Sequence, residues 1–413
     1  MSNMYDVTII GAGPAGLCLA RSLSQIGLTV ALVEKQTQDK LKAPPIDGRD
    51  IALTHFSKKM LSDFGVWNHI PADCISPIRE ARVFDGTSSR YMGLRSPATD
   101  QMAFIVPNHH IRHAAYEAVR SDTNITLLDN STVEKLRLKD NCAEVVLSDG
   151  RHIISKLICA ADSRFSETRR KAAISASMHD FGKTMIVCQM EHDREHNGVA
   201  HECFNHGHTL AVLPLNGNRS SVIITLPPTE AARMMNISTL ELNLWVSEQF
   251  QHRLGNMRLD CECFSYPLVG VYANHFVSKR FALVGDAAVG MHPVTAHGFN
   301  FGLKSIHFLV DSIKMALASG GDIASEAVLS RYETAHRRAT LPLYLATSGI
   351  VSLYTNDSTP AKIARKVLLH AANSALPIKS LLMAGLTKKE ISRNPFGIPS
   401  PIQAAKRLLK IAA

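Results

Sequence analysis

Between Tyr5 and Glu34 the spacing of apolar positions changes twice. Val7, Ile9 and Ile10 fall in a short β-branched run, the pattern of a buried strand. Leu17, Leu19, Ala20, Leu23 and Ile26 then repeat at helical spacing, Gly27 stops the helix, and Thr29 to Val33 return to a strand pattern that ends in Glu34. The junction of the first strand and helix is Gly11-Ala12-Gly13-Pro14-Ala15-Gly16. This is G-x-G-x-x-G where a dinucleotide site needs it. The first glycine makes the tight turn, the second lets backbone approach a pyrophosphate, and the third lets the helix pack on the strand. The helix N-terminus then faces phosphate, and Glu34 is placed to accept from a ribose hydroxyl.

Downstream, Leu53, Phe56, Met60, Leu61, Phe64 and Trp67 recur at helical spacing, with Arg49 at the entrance to that helix. Ile78 to Leu94 alternate as short strands around an Asp85-Gly86 turn, and Phe104-Ile105-Val106 leads through Pro107 into a helix from Ile111 to Val119. Strands follow at 125–128, 132–138, 143–147 and 152–159, the last ending in Ala160-Ala161-Asp162-Ser163. From Phe181 to Tyr266 strands are separated by turns, with one covering helix around 240–250, a pattern that predicts an antiparallel sheet. A buried strand returns at Arg280 to Asp286 and precedes a long helix whose apolar face is Leu303, Ile306, Val310, Ile313 and Leu317. The remainder reads as helical, with breaks at Pro342, Pro360, Pro377 and Pro395.

Composition narrows the class. At 413 residues, 46% hydrophobic, the chain can bury a large core. No apolar run reaches the roughly 18 residues needed to span a bilayer, and the expected location is cytoplasmic, peripheral at the inner membrane surface. The eight cysteines are scattered without a C-x-x-C pair, so neither a disulfide framework nor a zinc site is expected. The histidine run His192, His196, His201, His206 and His208 lacks accompanying carboxylate or cysteine order and reads as a solvated loop, not a metal site. Met185 and Met190 read as core. The net charge of +9 resides in Pro360 to Ala413, which carries ten Lys and Arg against Glu390 alone. A nucleic-acid binder would spread that charge over a folded face. A basic, apolar C-terminal segment suits a membrane surface or a partner protein, and no nucleic acid is expected.

Three separated segments, the glycine turn, the strand ending in Ala161-Asp162, and Val284-Gly285-Asp286 through His292-Pro293 to Gly298-Phe299-Asn300, together resemble the flavoprotein aromatic hydroxylase superfamily. The resemblance is to the p-hydroxybenzoate hydroxylase fold and its ubiquinone-biosynthesis branch. It implies an α/β architecture: a Rossmann-like FAD-binding domain, an inserted antiparallel-sheet substrate domain and a C-terminal helical region. The boundaries expected are 1–75, 100–178 and 268–345 for the FAD domain, 76–99 and 179–267 for the substrate domain, and 346–413 for the basic helical region.

As cofactor-binding residues the resemblance implies Gly11, Gly13, Ala15, Gly16, Glu34, Arg49, Asn108, Asp162, Gly285, Asp286, Pro293, Gly298, Phe299 and Asn300. It implies Arg49, His292, Pro293 and His297 beside the reacting atoms. Amides at the start of the helix opened by Gly298 would face the pyrimidine edge of the flavin, where positive potential stabilises the reduced, anionic ring. Two positions depart from the family pattern: Ser163 replaces a glycine, and Ala296-His297 replaces Gly-Gln. The activity implied is FAD-dependent hydroxylation of an aromatic ring, a polyprenyl phenol in ubiquinone biosynthesis, through a flavin hydroperoxide, with NAD(P)H as electron donor and O2 as co-substrate. Membership of a quinone-biosynthesis protein complex belongs to the same expectation. The rival readings are a flavin-dependent reductase of a prenyl substrate and a non-catalytic flavoprotein scaffold.

Overall fold

The computed structural model describes residues 4–86, 91–95, 99–205, 207–291 and 298–355. The chain opens with β1 (Met4–Ile10), α1 (Pro14–Ser24) and β2 (Val30–Val33), with β1 and β2 in parallel register, Val7 beside Val30 and Ile10 beside Val33. Pro14 sits in the first turn of α1, where its missing N–H costs nothing, and Leu17, Leu19 and Leu23 are buried. After α2 (Gln38–Lys42) comes β3 (Asp50–Leu53) and then α3 (His55–Asp63). The helix expected across Leu53 to Trp67 is therefore shorter. Ile51 and Leu53 pair with Val106 and Phe104, Thr54 caps α3 by accepting from the Ser57 N–H, and Trp67 lies in a separate helical turn. Arg49 accordingly precedes a strand, not a helix.

Next are β4 (Ser76–Ile78), β5 (Glu80–Asp85), β6 (Tyr91–Arg95), β7 (Ala103–Pro107), α4 (Asn108–Glu117), β8 (Ile125–Leu128), β9 (Val133–Leu138), β10 (Ala143–Leu147), β11 (His152–Ala160) and α5 (Glu167–Lys171). β12 (Ala176–His192) is long because Gly182 lies in an irregularity that lets one strand pair across it, and β13 (Val199–Phe204), β14 (Thr209–Pro214) and β15 (Arg219–Leu226) follow. Two helices, α6 (Pro228–Met234) and α7 (Thr239–Gln249), stand where one was expected; Pro228 starts the first and a Ser238/Glu241 capping box starts the second. β16 (Met257–Leu259), β17 (Phe264–Ala273), β18 (Val277–Ser278), β19 (Phe281–Leu283), β20 (Val289–Gly290), α8 (Gly298–Ala318) and α9 (Glu326–Thr355) complete the described chain.

One sheet runs β18-β19-β11-β1-β2-β8, parallel from β19 to β8, with the β9–β10 hairpin attached to β11. A second, mostly antiparallel sheet runs β20-β17-β12-β15-β14-β13-β5-β6, and β3-β7-β4 forms a small third sheet between chain segments of both. The second sheet extends past the expected substrate-domain boundaries: β12 starts at Ala176, β17 ends at Ala273, and β20 belongs to it. α6 and α7 cover one of its faces, burying Ile186, Cys188, Val222, Val246 and Phe250.

Pro342 was expected as a break, yet α9 continues through it. Arg338, whose carbonyl the proline ring leaves without its helical donor, lies on the exposed side of the helix, while buried His336 and Thr340 hold the helix on the core. His192 and His201, expected in a loop, are buried in β12 and β13; His192 bonds Ser220 Oγ and the Arg194 carbonyl. Met185 and Met190 are both buried, on opposite faces of the second sheet.

Candidate active site

The first glycine turn is built for close approach. Gly11 has φ +102°, and a Cβ there would lie 2.7 Å from the Ala161 carbonyl oxygen. A Cβ on Gly16 would lie 1.9 Å from the Gly11 carbonyl oxygen. A Cβ on Gly13 meets no atom within 4 Å, so this middle glycine faces open space at the start of α1. Glu34 is only 8% exposed and closes the turn from the next strand: one carboxylate oxygen accepts from the Ala12 N–H at 2.7 Å, the other from the Gln36 N–H at 2.9 Å. The acid is thus fixed by the backbone it serves, with lone pairs left over for a ligand hydroxyl.

The other two segments converge on this turn. Asp162 adjoins Gly11, accepts from the Thr168 N–H at 3.2 Å through Oδ2, and its buried Oδ1 has no partner among the described residues. Ser163, the departure from glycine, keeps a glycine-like backbone at φ +141°. Gly285 has φ +64° and approaches Ala15, 3.2 Å from where its Cβ would be, while Gly302 of α8 packs beside both. Asp286 lies next to Gly298, its Oδ1 3.8 Å from a Cβ built there, and pairs with Arg164 at 3.2 Å. With its side chain 34% exposed, Asp286 is less buried than its position after a core strand suggests.

The Asn300 side chain has a structural part beside the one expected of its main chain. It is 2% exposed, accepts from the Thr54 N–H at 3.1 Å and from Ser57 Oγ at 2.6 Å, and donates to the Ala52 carbonyl at 2.8 Å. Its amide therefore ties the first turn of α8 to β3 and α3. Only its main chain is left to face a ligand, together with Gly298 and Phe299 at the helix start.

Arg49 sits in a clamp that sequence reasoning did not find. Its guanidinium bonds Asp47 at 2.6 Å and lies over the Tyr266 ring, 5.5 Å from the centroid. Asp47 also accepts from the Asn108 amide at 2.7 Å, and its main-chain carbonyl accepts from Tyr266 Oη at 2.7 Å. Burial would raise the Asp47 carboxyl, but the Arg49 hydrogen bond and charge and the Asn108 amide hold it below its ordinary value. Gly48, at φ +68°, has no room for a side chain: a Cβ would meet Phe264 at 2.4 Å and Val187 at 3.1 Å. The loop carrying Arg49 therefore lies against the uncovered face of the second sheet. Asp50, just beyond, takes the Gln189 amide at 3.3 Å, and burial pushes its carboxyl up to about 6. A D-G-R-D string gives no sign of these partners, because Asn108 is 61 residues away and Gln189 and Tyr266 come from strands about 140 and 220 residues away. His292, Pro293 and His297 lie outside the described residues.

The three converging segments are the arrangement of a dinucleotide-binding enzyme built on a parallel α/β layer with a second sheet beside it. The family model described as FAD binding domain matches residues 4–342, and the chain belongs to that family. It is a FAD-dependent enzyme of the flavoprotein aromatic hydroxylase class. Among its relatives is the ubiquinone hydroxylase UbiM of Neisseria meningitidis, 42% identical over 94% of this chain and 85% of that protein. Another is the ubiquinone hydroxylase UbiL of Rhodospirillum rubrum, 32% identical over 92% of this chain and 89% of that one. The p-nitrophenol 4-monooxygenase PnpA of Pseudomonas putida shares the fold, with a TM-score of 0.74 at 19% identity over 95% of this chain and all of its own. The residues present fit FAD: a glycine turn open at Gly13, a braced acid at Glu34, an orphaned oxygen on Asp162, and Asp286 at the head of α8.

Proposed function

We propose that this chain hydroxylates a ring carbon of a polyprenyl phenol in ubiquinone biosynthesis, with NAD(P)H as electron donor and O2 as co-substrate. The observation that carries the reading is the convergence of the Gly11, Asp162 and Asp286 segments on one site in a chain similar over 94% of its length to a ubiquinone hydroxylase. Bound FAD supplies the redox chemistry and the activation of oxygen. The chain's own residues bind and orient. Gly11, Gly13, Ala15 and Gly16 receive the pyrophosphate, Glu34 the ribose, Asn108, Asp162, Gly285 and Asp286 the adenosine and ribitol side, and the amides of Gly298, Phe299 and Asn300 the pyrimidine edge. Arg49, His292, Pro293 and His297 border the substrate. The apolar face formed by Met185, Val187, Ile223, Phe264 and Tyr266 suits a ring bearing an alkyl chain and keeps water away from it.

Deleting the gene tests the pathway: the reading expects a quinone precursor lacking one ring hydroxyl to accumulate, and an unchanged quinone profile contradicts it. Pro360 to Ala413 lies outside the described residues, among which no helix is long and apolar enough to cross a membrane. The basic segment serves this function by holding the enzyme at an anionic membrane surface or on a membrane-bound assembly, each Lys or Arg in reach contributing on the order of 1 kcal/mol. Truncation after Pro395 should weaken sedimentation with anionic liposomes and penalise prenylated over short-chain phenols. Equal binding and an equal substrate ratio would remove the segment from the account.

A further inference from the structure

Glu202 lies in the middle of β13, and the sheet register shows which way it points. Its neighbours His201 and Cys203 face the covering helices: the His201 ring is 5.1 Å from Phe250, and Cys203 is buried with Val246 and Phe250. Side chains alternate along a strand, so Glu202 faces the opposite way. Cross-strand pairing then sets Phe264, Val187, Ile223, Ala211, Glu202, Val83 and Met92 in one row across the sheet. Glu202 is the single ionisable side chain of that row.

This is also the face turned to the flavin-side chain. Gly48 presses on Phe264 and Val187 at one end of the row. Ala52 of β3, whose carbonyl holds the Asn300 amide, packs in the same apolar cluster as Val83 and Leu213, the residues flanking Glu202. Glu202 makes no hydrogen bond or ion pair among the described residues, yet solvent still reaches it. The cations near this strand, Arg82 and Arg253, act on His201 and lie on its face. Other carboxyls on the flavin side are engaged: Asp50 by Gln189, and Asp47 by Arg49 and Asn108. Directly across from Glu202 stand Ala211 and Val83, with Thr209 and Asp85 one step further along the same face, and burial pushes the Glu202 carboxyl up to about 8, so it carries its proton at neutral pH.

We propose that Glu202 is a substrate-binding residue: its carboxyl hydrogen-bonds a ring oxygen of the phenolic substrate held between β3 and the second sheet. The proposal rests on the aromatic-hydroxylase reading above and deepens it. A largely apolar wall with one acid set into it favours a ring with an oxygen substituent over a plain hydrocarbon, because only the former offers that acid a hydrogen-bond partner.

The test uses the FAD-loaded full chain as wild type, Glu202→Gln and Glu202→Leu. A short-chain prenylated phenol is titrated by its perturbation of the flavin absorbance, and kcat/KM is followed from pH 6 to 9.5. Wild type should lose kcat/KM about tenfold per pH unit above about 8, because the free enzyme must keep this proton. Glu202→Gln, a donor at every pH, should lack that limb and bind the phenol within about threefold of wild type. Glu202→Leu should bind it about ten- to a hundredfold more weakly while holding FAD as wild type does. A Leu variant that binds the phenol normally, or a Gln variant that keeps the alkaline limb, overturns the proposal and leaves the hydroxylase reading standing. A wild-type enzyme that binds and oxidises no phenol overturns both.

Discussion

Replacing Glu202 by Gln should make the protein more stable, and increasingly so as pH rises. The carboxyl has Ala211 and Val83 directly across from it on the two neighbouring strands, and burial raises its pKa to about 8 in the folded chain against an ordinary 4.5. Because the folded value is raised, the folded state keeps a proton that the unfolded chain has already released. The stability contribution is complete below pH 4.5 and is lost progressively as pH rises through about 8. Each pH unit in that window costs about 1.4 kcal/mol, so at pH 7 the wild type forgoes up to about 3 kcal/mol that Gln, uncharged throughout, does not. Water entering the recess reduces this, leaving a slope near 1 kcal/mol per pH unit as the working expectation. Urea unfolding of both proteins in excess FAD at pH 5, 6, 7 and 8 measures the difference directly. Any pH-independent cost of burying the amide appears as a constant offset. Parallel stability curves across this range would refute the assigned burial of Glu202.

Asp286→Ala should weaken FAD binding about tenfold by equilibrium titration of flavin fluorescence, at the low end for a lost polar acceptor because Asp286 is partly exposed and shared with Arg164; unchanged FAD affinity would contradict its placement. Ser163→Gly should stabilise the enzyme by about 1 kcal/mol, because a serine at φ +141° stores backbone strain that glycine does not, partly offset by the entropy of glycine; thermal unfolding at or below the wild-type temperature would refute this. His336 is buried against Phe276 and Tyr332, and burial depresses its pKa to about 3. Its contribution is therefore intact above the ordinary pKa of 6.5 and is lost as pH falls through about 3, so His336→Gln should flatten the acid side of the stability profile.

The glycine turn was legible because each glycine answers a backbone requirement that no other residue meets, and the same 1.9 Å contact that forbids a side chain at Gly16 makes the motif readable. The strand before it and the helix after it followed from apolar period alone. Asn300 shows where such reading ends. Its place at the head of α8 was foreseeable, but its amide is committed to Thr54, Ser57 and Ala52, partners nearly 250 residues away in the chain. Asp47 and Tyr266 escaped for the same reason. Glu202 has no signature in the sequence, since its period is that of any half-exposed sheet. What makes it unusual is the β3 loop lying over that face, a tertiary fact with no local signature. Pro342 marked a helix end by propensity, and buried anchors on either side of it overrode that.

The proposed function requires that oxygen from O2 enter the ring of a phenol bound against the second sheet. Turnover of a prenylated phenol by the FAD-loaded enzyme and NAD(P)H under 18O2, followed by mass spectrometry of the product, tests it most directly. The account predicts one labelled oxygen atom on a ring carbon and none from labelled water. A product that gains hydrogen without label would contradict it and favour a flavin-dependent reductase.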